Sequence, residues 1–179
     1  MYPRLRSLIF AGACAFAAVI ALAACGGGGG GSKPAREQVV RGTGFVFRAP
    51  AGWKLSHRDT TVAASPKPTA PEIVSVGVFR TTKPYRPDLF EKAIPEIDRV
   101  AARYARGLHG TVTSSSTATL AAGKVRQYVV ELEKDKEKLR ERITFVFVGR
   151  TEYSLLCQWK ASDGEPAACG RLLETFALR

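Results

Sequence analysis

Six consecutive glycines, Gly26 to Gly31, divide this 179-residue chain into two unequal parts. Such a run cannot hold helix or strand, because each glycine loses more backbone entropy on ordering than any other residue. Ser32 to Gln38 continues in mostly polar residues, so the stretch reads as a tether. About 13 flexible residues span roughly 20 Å as a random coil. The expected organisation is a head, a tether over residues 25–41 and a single domain over residues 42–179. That domain is long enough to bury a core. No internal repeat and no second linker interrupts it.

The head carries Arg4 and Arg6 ahead of an apolar, alanine-rich run from Leu8 to Leu22, the pattern of a secretory signal peptide. Leu8 to Cys25 also reaches the lower end of membrane-spanning length, which leaves a retained anchor as the alternative. Positive charge stays inside in both cases, so everything after residue 25 faces the exterior or periplasm. Leu22-Ala23-Ala24-Cys25 closes the run and resembles the lipobox of bacterial lipoprotein precursors. The resemblance covers about the first 25 residues. It implies that residues 1–24 are removed and that Cys25 carries a diacylglyceryl group, anchoring the chain to the cell membrane.

Four cysteines are encoded. Cys14 leaves with the signal and Cys25 takes the lipid, so Cys157 and Cys169 remain. An even remainder in an oxidising compartment favours a disulfide over two buried thiols. Closing that loop stabilises a fold by about 3 kcal/mol in the chain-entropy model. The pair is too widely spaced for a C-x-x-C redox motif. A metal site would need more ligands than these two and the distant His57 and His109. Neither metal nor cofactor is expected.

Along the domain, Gly44 to Arg48 reads as a strand stopped by Ala49-Pro50-Ala51-Gly52, and Trp53 to Ser56 as its return. Ala63 to Pro71, with three prolines, reads as a surface loop. Ile73 to Arg80 is a strand, and Thr81 to Pro87 a turn-rich connection. Asp88 to Gly107 is the clearest helix. Asp88 and Glu91 form the acid version of a capping box. Phe90, Ile94, Ile97, Ala101, Tyr104 and Leu108 supply a core face. Pro95 is expected to kink or restart this helix, and Gly107 and Gly110 to close it.

Thr111 to Ala118, Val125 to Glu133, Arg140 to Val148 and Glu152 to Trp159 have strand chemistry. Lys134 to Lys138 reads as a hairpin tip, although Glu131 to Arg142 is also compatible with a charged helix. Pro166 opens a last helix through Thr175, with Leu172, Leu173 and Phe176 turned inward. The order of elements implies an α+β fold, an antiparallel sheet flanked by two main helices.

Phe45-Val46-Phe47 leading to Pro50, Gly52 and Trp53, then Ile143 to Tyr153 with Leu155, and a helix ending Leu173-Glu174-Thr175-Phe176 resemble the PsbP-like superfamily. The resemblance spans most of residues 42–179 and implies accessory or binding roles. It brings no catalytic centre, and the photosystem-binding N-terminal features of the plant members have no counterpart here. Trp53 reads as a core residue rather than a ligand platform.

The sequence has no nucleophile elbow, phosphate loop, zinc-protease or EF-hand pattern. Ser56, His57 and Asp59 offer triad residue types, but sequence neighbours rarely converge in triad geometry. His109 reads as a loop residue.

The formal charge is +11, and loss of Arg4 and Arg6 lowers it by two. Nucleic acid is disfavoured by compartment and by the lack of a recognition motif. The expected partners are the membrane through the N-terminal lipid and, beyond it, an anionic lipid, an acidic envelope polymer or an envelope protein. Lys92, Arg99, Arg103 and Arg106 fall on one side of the first helix and are the candidate contacts to an anionic surface, the plain alternative being a solvated face. The expected role is a non-catalytic binding or accessory module. A carrier holding an apolar or lipid-like ligand is the alternative, and an envelope enzyme the remote one.

Overall fold

The computed structural model describes residues 36–179. The signal segment, Leu22 to Cys25 with its lipidation site, Cys14 and the glycine run lie outside the described residues.

Ten strands and two helices follow in order. They are β1 (Glu37–Gly42), β2 (Phe45–Pro50), β3 (Lys54–Arg58), β4 (Thr61–Ser65), β5 (Ile73–Arg80), α1 (Phe90–Gly107), β6 (Thr111–Leu120), β7 (Gly123–Lys134), β8 (Glu137–Val148), β9 (Thr151–Lys160), α2 (Ala167–Thr175) and β10 (Ala177–Leu178). The strands make a seven-stranded sheet in the order β3-β4-β5-β9-β8-β7-β6 and a three-stranded sheet in the order β1-β2-β10. All pairings are antiparallel. This is the α+β fold that the order of elements implies. Among the described residues no helix is long and apolar enough to cross a membrane.

The two-residue side-chain period of a strand decides which face each residue serves. Tyr153, Leu155, Cys157 and Trp159 alternate along β9 and are all buried. They meet Phe45 and Phe47 of β2, and Ala168, Cys169, Leu172 and Phe176 of the α2 segment, in a filled core. Phe45, Tyr153 and Phe176 pack with ring centroids 5.6–6.1 Å apart, in tilted and edge-on arrangements. The bond between Cys157 and Cys169, with Cα atoms 5.4 Å apart, ties α2 to β9 within this core. On the opposite face Ile97 and Ala101 of α1 pack on Tyr128, Ile143 and Phe145, and Ala105 packs on Val130, Leu132 and Leu139.

Several expectations need correction. The tether does not extend to residue 41: β1 begins at Glu37, where Val40 is fully buried against the core and Glu37 is held by Arg48 and Arg171. Ala63 to Ser65 are not loop but the buried end of β4, leaving the prolines to the turn that follows. Trp53 to Ser56 does not return against β2, because β3 pairs with β4 in the other sheet. Trp53 is partly buried against the core.

Asp88 does not cap α1. Pro87–Leu89 form a 3₁₀ turn first, Leu89 is the cap residue with no side-chain bond, and Asp88 is held by Arg86 at 2.8 and 3.1 Å. Glu91 pairs instead with Lys124 of β7 at 3.0 Å. The helix runs without restart through Pro95, which sits on its exposed side. It ends in a Schellman motif: Gly110 N–H donates to Ala105 at 2.8 Å and His109 N–H to Arg106 at 3.1 Å. His109, with φ 55°, takes the left-handed position that glycine more often fills. Gly110 is required for another reason: a Cβ there would lie 2.6 Å from the Glu131 carbonyl oxygen.

The hairpin reading of Lys134 to Lys138 holds. Asp135 and Lys136, with φ 51° and 65°, make the two-residue turn whose twist suits antiparallel strands. β10, a two-residue strand closing the small sheet, has no signal in the sequence.

Candidate binding cleft

Helix α1 covers only part of its side of the large sheet. It lies over β6, β7 and β8, which leaves the β9-β5-β4-β3 half of that face without a helix. Register sets what this open half displays: Thr61 lies opposite Gly77, Gly77 opposite Ser154, and Ser75 opposite Leu156. The floor is therefore made of small and apolar residues.

A cleft runs where the open face meets α1. Its central stretch, about 350 Å³, has Val100 and Tyr104 as one wall, Phe79 as the other, and Ile143, Phe145 and Leu156 beneath. Toward the chain entering α1 it continues as an apolar stretch of about 340 Å³ among Tyr85, Ala93, Ile97, Val100 and Phe147. Away from the helix it continues over β3, β4 and β5 as a basin of about 590 Å³, with Lys54 and Arg58 at its rim. Val100, Phe145 and Glu152 belong to the first two stretches, and Thr61, Ser75 and Phe79 to the central stretch and the basin. Phe79 is 49 % exposed and Val100 37 %, although both are large apolar side chains. The Phe79 ring folds back over Gly77, where a Cβ would come within 2.8 Å of it.

The central stretch presents mainly apolar surface, with Thr61, Ser75, Tyr104, Glu152 and Ser154 as its polar side chains. Ser154 donates to Glu152 at 2.7 Å. Tyr104 turns its hydroxyl away from the opening and donates to Glu141 at 2.7 Å. Glu141 is almost wholly buried, and burial pushes its carboxyl above the ordinary range against the pull of Tyr104 and Lys134. Burial also raises the Tyr104 hydroxyl, with the Glu141 charge adding to it. Next to this pair, Asp98 of α1 accepts from Tyr128 at 2.5 Å and from Arg126 at 3.1 Å, clamping the helix to β7. Burial pushes the Asp98 carboxyl up, but these two bonds outweigh it and hold it below its ordinary value.

Ser56, His57 and Asp59 do not assemble as a triad, because Ser56 and His57 face opposite ways. Neighbours on β3 point to opposite faces, with Ser56 opposite Ala63 and His57 opposite Val62, and Asp59 sits in the following turn at φ 46°. His109 is exposed. Among the described residues no group of three or more His, Cys, Asp and Glu gathers as a metal site.

Lys92, Arg99, Arg103 and Arg106 are all exposed on α1, on the side turned away from the sheet. Arg99 is paired with Glu96 at 2.7 Å. The cleft itself was not anticipated from the sequence. Phe79 read as one more apolar strand residue, and only Glu141, a charge at an inward position between Leu139 and Ile143, signals anything unusual.

No family model and no curated protein matches the sequence. Solved structures match the fold. The solution structure of cyanobacterial PsbP (CyanoP) from Synechocystis superposes with a TM-score of 0.59 at 13 % identity, over 84 % of this chain and 96 % of that one. A protein from Bacteroides thetaiotaomicron superposes with a TM-score of 0.57 at 11 % identity, over 80 % of this chain and 48 % of that one. The chain thus spans about half the length of that second protein. LpqN of Mycobacterium tuberculosis, involved in cell envelope biogenesis, aligns over 80 % of this chain and 90 % of its own at 12 % identity and a TM-score of 0.47. The fold is PsbP-like.

Proposed function

We propose that this chain is a lipid-anchored module of the cell envelope that binds rather than catalyses, and that its ligand lies in the cleft between α1 and the open half of the sheet. The observation that carries this reading is the cleft's lining: exposed Phe79 and Val100 face each other across a floor of small and apolar residues. Exposed apolar surface gathered in a concave, polar-rimmed site marks a place where another molecule is covered.

The same lining favours an apolar or lipid-like ligand, and with it the carrier reading. Such a ligand fits between helix and sheet, whereas the core between the two sheets is already filled. The N-terminal lipid on Cys25 would hold the module at its membrane, and Lys92, Arg103 and Arg106 would add attraction to an anionic surface.

Titration of the segment 33–179 with a fluorescent long-chain acyl probe tests the ligand class. Saturable binding that is lost in Val100→Trp, where an indole fills the cleft, supports it. Absence of saturable binding, or binding that Val100→Trp leaves unchanged, removes the cleft as the site.

A further inference from the structure

The large sheet ends in two edge strands of very different character. β3 is five residues long and carries Lys54, His57 and Arg58. Charges on an edge discourage another strand from pairing there. β6 is ten residues long and holds no charged residue and no proline, in a chain that is 24 % charged. The edge strand β1 of the small sheet, by comparison, carries Glu37 and Arg41.

The pairing of β6 with β7 is irregular between Val112 and Ser114, so the regular part of the edge is Ser114 to Leu120. Ser114 to Thr117 are exposed, and β7 occupies only one side of the strand. The other side offers a row of backbone donors and acceptors that can join a further strand.

We propose that β6 pairs antiparallel with β6 of a second copy, joining two large sheets across a two-fold axis. Self-pairing is suited to this strand because only Ser, Thr, Ala and Leu come opposite one another in Ser114 to Leu120, and no like charges meet. A two-fold axis also reverses everything attached to β6. Helix α1 packs over β6 and β7, so the two copies of α1 run antiparallel. Glu91 and Asp98 of α1 are already engaged by Lys124 and Arg126 of β7, so the pairing rests on the edge strand itself. This contact leaves the cleft free, because β6 and the open half of the sheet lie at opposite ends of the strand order.

Photo-crosslinking of the full chain in its own membranes tests the pairing. A benzophenone side chain replaces Ser114, and differently tagged copies are co-produced. The expected product carries both tags. Ser116→Lys, which sets two ammonium groups near the axis, is expected to lower its yield about tenfold by guarding the edge, while Ser116→Thr keeps it. The same photoreactive group at Leu55, on β3, is expected to give no such product. A doubly tagged product that Ser116→Lys leaves unchanged, equal yield from Leu55, or a product holding only one tag would each overturn the proposal.

Discussion

Tyr104 of α1 donates a 2.7 Å hydrogen bond to Glu141 of β8, placing a carboxylate inside the inner wall of the cleft. Glu141 is 4 % exposed, and no cation lies within ion-pair distance of it among the described residues. Its folded pKa is raised above 4.5. The stability this group contributes is therefore fully present below 4.5 and is lost as pH rises through the raised value. Glu141→Gln is expected to remove that loss, so that denaturant unfolding of the variant, compared with the parent from pH 4.5 to neutrality, shows the shallower pH dependence.

Tyr104→Phe removes the one side-chain donor to the same carboxylate. A buried acceptor left without its partner costs about 1–3 kcal/mol. The variant is expected to unfold at lower denaturant concentration, with a larger deficit at neutral pH, where Glu141 is more ionised. An equal deficit at all pH values would show that the ring's packing, not the hydroxyl, is what counts.

Asp98 behaves in the opposite sense. Its pKa is lowered from 3.8, so its contribution is present above that value and is lost as pH falls through the depressed one. Because Asp98 is 43 % exposed, Asp98→Asn is expected to cost only about 1 kcal/mol at neutral pH. Thermal unfolding at neutral and at acid pH should show that cost vanish in acid.

Reduction of Cys157–Cys169 is expected to lower stability by about 3 kcal/mol in the chain-entropy model. Intact mass before and after reduction checks the bond in protein taken from the envelope, where two free thiols would contradict it. Calorimetry with and without reductant gives the size of the effect.

The basic side of α1 makes a separate prediction. Each Lys or Arg close to an anionic membrane adds about 1 kcal/mol of attraction. The segment 33–179 is expected to co-sediment with anionic vesicles at low salt and to release as salt rises. Lys92, Arg103 and Arg106 changed together to Ala should abolish this. Binding that survives the triple change would move the contact elsewhere on the surface.

The order of elements was legible because strong local signals lie in the right places. β-Branched and aromatic runs marked β5, β7, β8 and β9, and the 3.6-residue period marked α1. Boundaries were lost where tertiary bonds overrode local propensity. Asp88 was drawn to Arg86 rather than to the helix end, and the segment from Glu37, polar by composition, was recruited as a strand by Val40 packing and by Arg48 and Arg171. The cleft was not legible, because it depends on how much of a sheet one helix covers. Nothing in the pattern of Phe79 or Val100 separates an apolar residue left uncovered from one that is packed.

The most direct measurement is native mass spectrometry of the full chain extracted from its own membranes. A bound apolar molecule, in addition to the covalent lipid, is expected on the parent chain and absent from Val100→Trp. A parent chain that carries no such molecule and takes up none when incubated with a long-chain acyl compound would contradict the reading of the cleft as a lipid-like binding site.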